Sequence, residues 1–164
     1  MSLTLNATSS EGREFAECPE GIFNACVIEV KTKNKEGQDM LSSFKQPDGS
    51  QNRRCALVFQ TEAEVMGEAG PCGWHTVWDF HNIPHNVGNE KSTLHQRIIQ
   101  IAGKGSIKTG NVNVDELIVG KPVKVTVTHG ESGKAKIVSV RQLKDSELAG
   151  AWTPKTSEDG KAEF

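Results

Sequence analysis

Apolar and polar positions alternate with period two through most of the middle of this chain, and where they do the pattern predicts β-strands. The run Gly21-Ile-Phe-Asn-Ala-Cys-Val-Ile-Glu-Val-Lys31 is rich in β-branched and apolar residues. It passes into Lys31, Lys33 and Lys35, which the same spacing places on one face, as on a strand leaving a core for a groove. Residues 36–52 contain Gly37, Pro47 and Asp48-Gly49 and read as a hairpin loop, with Met40, Leu41 and Phe44 unusually apolar for a loop tip. A second strand begins at Arg53 and ends near Gly67 to Gly70. Later, the pattern changes. Leu94, Ile98 and Ile101 fall at helical spacing, Asn89 or Ser92 can cap the start, and Gly103 sits where a helix stops. A short helical turn follows Asn113, with Asp115 and Glu116 at its start. Pro122–His129 and Ala135–Arg141 then alternate about a Gly130–Gly133 turn and predict a last hairpin.

The third strand of this series, Pro71 to His81, carries two of the three tryptophans. Period two puts Trp74, Thr76, Trp78 and Phe80 on one face and His75, Val77, Asp79 and His81 on the other. The aromatic face suits either a core or a platform for flat ligands. The opposite face is polar enough to be expected in water.

Three meandering strands, a helix and a two-strand hairpin predict a mainly β domain. The favoured architecture is a five-stranded Greek-key barrel of the oligonucleotide/oligosaccharide-binding (OB-fold) kind, with the helix between strands three and four. An α+β sheet with the helix across one face is the rival. Residues 1–19 read as an N-terminal arm, 20–143 as the domain and 144–164 as a flexible acidic tail.

Composition sharpens this only locally. The chain has 164 residues and a net charge of −2, against a strongly basic nucleic-acid binder. The charge is uneven, however: residues 21–141 carry fifteen basic and twelve acidic groups between acidic ends. No apolar run approaches the length of a membrane span and the N-terminus lacks a signal-peptide pattern, so a cytoplasmic location and no membrane partner are expected. Cys18, Cys26, Cys55 and Cys72 lack zinc-knuckle spacing and read as thiols.

The first strand, the Trp78-Asp79 pair, the helix and the segment Asp115-Glu-Leu-Ile-Val-Gly-Lys-Pro-Val123 together resemble a family of small bacteriophage single-stranded-DNA-binding proteins of the replication and recombination module. The likeness covers roughly residues 20–142 and lies in element order more than identity. It implies the barrel, a DNA replication or recombination role, and, if phage-encoded, the host-cell cytoplasm. The acidic C-terminus ending in Phe164 resembles the tail through which such proteins recruit replication and repair enzymes. Glu158, Asp159 and Glu163 would steer that approach while Phe164 enters an apolar pocket.

Sequence-tolerant binding of a single strand needs cations along the backbone beside flat side chains. Lys31, Lys33, Lys35, Arg53, Arg54, Lys124 and Lys136 could supply the charge, and Phe59, Trp74 and Trp78 the stacking faces. The plain alternative is a core of aromatics under a solvated lysine surface. Cys72, His75, Asp79, His81 and His85 could in principle ligate a metal, but strand geometry points Cys72 away from His75, Asp79 and His81, so no metal or other cofactor is expected. Gly103-Lys-Gly105 lacks P-loop spacing and Asp115-Glu116 is explained by capping, so no catalytic residue is assigned and no enzyme is expected. Single-stranded DNA is the expected partner. The alternative is a protein-interaction module that contacts a host or phage protein through Met40, Leu41 and Phe44.

Overall fold

The computed structural model describes residues 17–67, 69–84, 88–108, 110 and 112–155, apart from the side chains of Ser43 and Phe44. Its strands are β1 (Gly21–Lys31), β2 (Leu41–Lys45), β3 (Gln51–Gly67), β4 (Gly70–Asn82), β5 (Pro122–His129) and β6 (Ala135–Gln142). Two helices, α1 (Thr93–Ala102) and α2 (Val114–Ile118), lie between β4 and β5, and a 3-10 turn, Asp145–Gly150, follows β6. Every ladder is antiparallel: β4 pairs β3, β3 pairs β1, β1 pairs β5 and β5 pairs β6. The short β2 prolongs the β1 side of the sheet along the start of β3.

This corrects the expected five-stranded Greek-key barrel, and with it the likeness to the phage single-strand-binding family. The sheet has six strands and is open, with no ladder between β4 and β6 among the described residues. A side chain occupies that seam. Arg97 on α1 donates from Nε to Asp79 Oδ2 of β4 at 2.8 Å and from Nη2 to the Ile137 carbonyl of β6 at 3.4 Å. An edge carbonyl that a closing strand would bond is served by a guanidinium instead.

The concave face holds the core. Ala25 and Val27 of β1, Leu57 and Phe59 of β3, Val77 of β4, Val123, Val125 and Val127 of β5, and Ile137 and Val140 of β6 pack there. Leu94, Ile98 and Ile101, the predicted stripe of α1, cover them, with Ile118 of α2. Ser92 caps α1 by accepting from the His95 N–H, and Asn113 caps α2 by accepting from that of Glu116. Gly103 ends α1 at a φ of 104°, where a Cβ would also press on Gln142 at 3.3 Å.

Two irregularities set which side chains face outward. A bulge between Val27 and Glu29 re-phases β1, so Lys31 stands opposite Ala56 on the convex face rather than beside Ala25 and Val27. A second register shift lies between Gln60 and Glu64 on β3, where the Thr61 hydroxyl donates to the His75 carbonyl at 3.0 Å.

Residues 144–155, placed by the sequence reading in the tail, run across the convex face. Glu147 accepts from both Arg141 terminal nitrogens at 2.8 and 2.9 Å, and from the Lys144 N–H. A Cβ on Gly150 would lie 3.6 Å from Asn24 Nδ2 of β1. Farther along, Gln60 of β3 accepts from Trp152 Nε1 and the Lys155 N–H, and donates to the Lys155 carbonyl. This strap explains why Cys26 and Gln60 are buried on the outward side of the sheet. Glu158, Asp159, Glu163 and Phe164, His85 and residues 1–16 of the expected arm lie outside the described residues.

A candidate nucleic-acid interface on the convex face of β4

On β4 the two predicted faces exist, but their environments reverse the expectation for the polar one. Val77, Asp79 and His81 point into the domain, and Asp79 and His81 are both 8% exposed. Asp79 Oδ2 accepts from His81 Nε2–H at 2.7 Å as well as from Arg97, and His81 Nδ1 meets the Thr93 hydroxyl at 2.9 Å. Each polar group thus has a partner, which is what allows burial of an aspartate and a histidine. Committed to one another, these residues tie β4 to α1. Among the described residues, no three potential metal-ligating side chains converge.

The aromatic face points outward, and the strap divides it. Trp74 lies under the strap, its ring 5.7 Å from that of Trp152 in an edge-to-face arrangement. Four and six residues on, Trp78 and Phe80 are uncovered, 40% and 45% exposed, with ring centroids 5.9 Å apart. Beneath them in the ladder stand Val58 and Ala56, both buried. Cations flank both rings. Lys31 Nζ is 5.8 Å from the Trp78 centroid, and the Arg54 guanidinium carbon is 4.4 Å from that of Phe80. Lys31 also approaches Glu29 at 3.6 Å, an exposed ion pair of little strength.

The structure therefore brings together Lys31, Arg54 and Trp78 of the sequence-derived set and adds Phe80, which the alternation had placed on the right face without assigning it. The others go elsewhere. Phe59 is fully buried in the core and offers no stacking face. The row of three lysines breaks up: β1 ends at Lys31, Lys33 pairs with Asp39 at 2.6 Å, and Lys35 sits in the following turn. The hydrogen bond from Lys33 lowers the Asp39 pKa. Arg53 reaches Asp39 only at 4.0 Å. Lys124 lies 3.8 Å from Glu147 beneath the strap, and Lys136 is exposed on β6, at the other end of the ladder. Of the apolar loop trio, Met40 is half-buried, Leu41 is exposed, and the Phe44 side chain lies outside the described residues.

Two exposed rings, inclined at 46° to each other and each with a cation over it, are able to stack planar groups and hold anions beside them. No protein-family model matches this chain, and no curated protein is similar to it, so the site itself is the basis for a functional reading.

Proposed function

We propose that this protein binds single-stranded DNA with little dependence on sequence, through Trp78, Phe80, Lys31 and Arg54. The observation that carries the reading is the exposed Trp78–Phe80 pair, each ring flanked by a cation. Large aromatic side chains are usually well buried, and an exposed neighbouring pair on a rigid strand costs solvation that a stacking partner recovers. Bases present π-faces whatever their identity, which makes such a platform sequence-tolerant, at about 1–3 kcal/mol per stacked base. Lys31 and Arg54 would meet the phosphates of the same strand.

The test is equilibrium binding of a fluorescently labelled thymidine oligonucleotide, measured by anisotropy over a salt series. For the wild-type protein, affinity is expected to fall with salt. Lys31→Ala/Arg54→Ala should flatten the slope of log affinity against log salt by about 1.4, since a single strand contributes about 0.7 per neutralised phosphate. Absence of binding at low salt, or an unchanged slope in the folded variant, would overturn the proposal.

A further inference from the structure

A polar cleft of about 700 Å³ opens between the start of β3, the end of β4 and the beginning of α1. Asn52, Arg53, Asn82, Lys91 and Thr93 are among the residues that wall it. It begins where the aromatic pair ends. β4 runs from Trp78 and Phe80 to Asn82, and Asn82 stands opposite Arg54 in the ladder. At about 3.3 Å per strand residue, Asn82 lies about 7 Å beyond Phe80 on the same face. The convex face and the cleft are thus one continuous surface around the end of β4.

The lining carries groups of the kind that hold a nucleotide. Arg53 and Lys91 are exposed, and the one carboxylate near Arg53 among the described residues, Asp39, is 4.0 Å away. Such cations suit phosphate oxygens. Asn52 and Asn82 each present both a donor and an acceptor, as the edges of nucleobases do. One wall is rigid: the Thr93 hydroxyl is held by His81, which is held by Asp79, which is held by Arg97. Prearranged side chains bind with less loss of conformational freedom than mobile ones.

We propose that this cleft is a second nucleotide subsite of the same interface. A strand stacked on Trp78 and Phe80 passes Arg54 and Asn82 and enters the cleft, where Arg53 and Lys91 take its next phosphates and Asn52 and Asn82 meet the next base. The inference rests on the single-strand reading above, and its test separates the two.

Thymidine oligonucleotides of increasing length compete against a labelled long strand for wild-type protein, Arg53→Ala/Lys91→Ala, Lys91→Glu, Trp78→Ala and a control, Lys104→Ala/Lys134→Ala. The control removes two exposed cations elsewhere. The expected result is that both cleft variants match wild type on the shortest oligonucleotides but gain about tenfold less affinity as length increases. Their salt slopes should also be shallower, by about 1.4 for the double variant. Trp78→Ala should weaken binding at every length. If the cleft variants follow wild type at all lengths while Trp78→Ala is weak, the subsite is overturned and the aromatic interface stands. An equal loss in the control would reduce the cleft effect to net charge and also overturn it. Failure of wild-type protein to bind any length would remove both readings.

Discussion

Trp74 and Trp78 lie on the same face of the same strand, four residues apart, and truncating them should produce opposite outcomes. Trp78 is 40% exposed, its neighbour Phe80 lies 5.9 Å away and the Lys31 ammonium is 5.8 Å from its ring. An exposed aromatic pair with a cation near the limit of useful range contributes about 1 kcal/mol to folding. Trp78→Ala should therefore remain folded. If Trp78 stacks a base as proposed, its loss should appear in binding: removing one stacked base interaction of about 1–3 kcal/mol should weaken DNA affinity about 5- to 150-fold. Trp74 instead packs edge-to-face on Trp152 at 5.7 Å beneath the strap. Burying a tryptophan fully is worth about 3–5 kcal/mol on truncation, and a half-covered ring correspondingly less, so Trp74→Ala should cost about 2–3 kcal/mol of stability. Its DNA affinity, measured well below the melting transition, should change less than about threefold. Thermal unfolding by circular dichroism and anisotropy titration on the same samples read both quantities. The reasoning fails if Trp78→Ala is folded and binds as wild type, or if Trp74→Ala loses affinity as strongly while losing no stability.

Three further outcomes follow from other parts of the structure. Asp79→Ala leaves the part-buried Arg97 and the buried His81 without their shared acceptor and should destabilise the domain by about 3–5 kcal/mol, measured by urea unfolding; a change under about 1 kcal/mol would show that β4 and α1 do not depend on this tie. The Arg141 hydrogen bonds, followed by that from the Lys144 N–H, pull the Glu147 pKa from an ordinary 4.5 down to about 2, so the anchoring of the strap is fully present above about pH 4.5 and is lost as pH falls through about 2. Tryptophan emission followed from pH 5 to pH 2 should report release of Trp152 in that window, and Glu147→Gln should abolish the transition. Burial pushes the Cys26 thiol up to about 12 and that of Cys55 up to about 11, and raises Cys18 as well, whereas Cys72 is only half-buried. A thiol reagent at pH 8 should therefore label Cys72 first, and mass spectrometry finding Cys26 modified at a similar rate in folded protein would contradict the burial.

No helix among the described residues is long and apolar enough to cross a membrane. Of the fold, the parts readable from sequence are those governed by local chemistry. The alternation of Pro122–His129 and the Leu94/Ile98/Ile101 stripe each report a local backbone period, and Ser92 and Asn113 satisfy helix-end N–H groups within three residues of themselves. The aromatic face of β4 is local in the same way, so Trp78 and Phe80 could be placed together from spacing alone. What that face would meet could not be, because it depends on residues distant in sequence. Arg97 and Thr93 make an inward Asp79 and His81 affordable, and Trp152 covers Trp74 but leaves Trp78 bare. One residue of bulge in β1 turns Lys31 from the core side to the aromatic side, an outcome invisible to strict period-two reading. The open seam between β4 and β6 was likewise decided in three dimensions, by a guanidinium from α1 that takes the place of a strand-to-strand ladder. Sequence determined most of the elements and the facing pattern within regular strands; β2 inside the expected loop, the 3-10 turn inside the expected tail, the bulge in β1 and the choice of which faces meet water were decided by long-range packing.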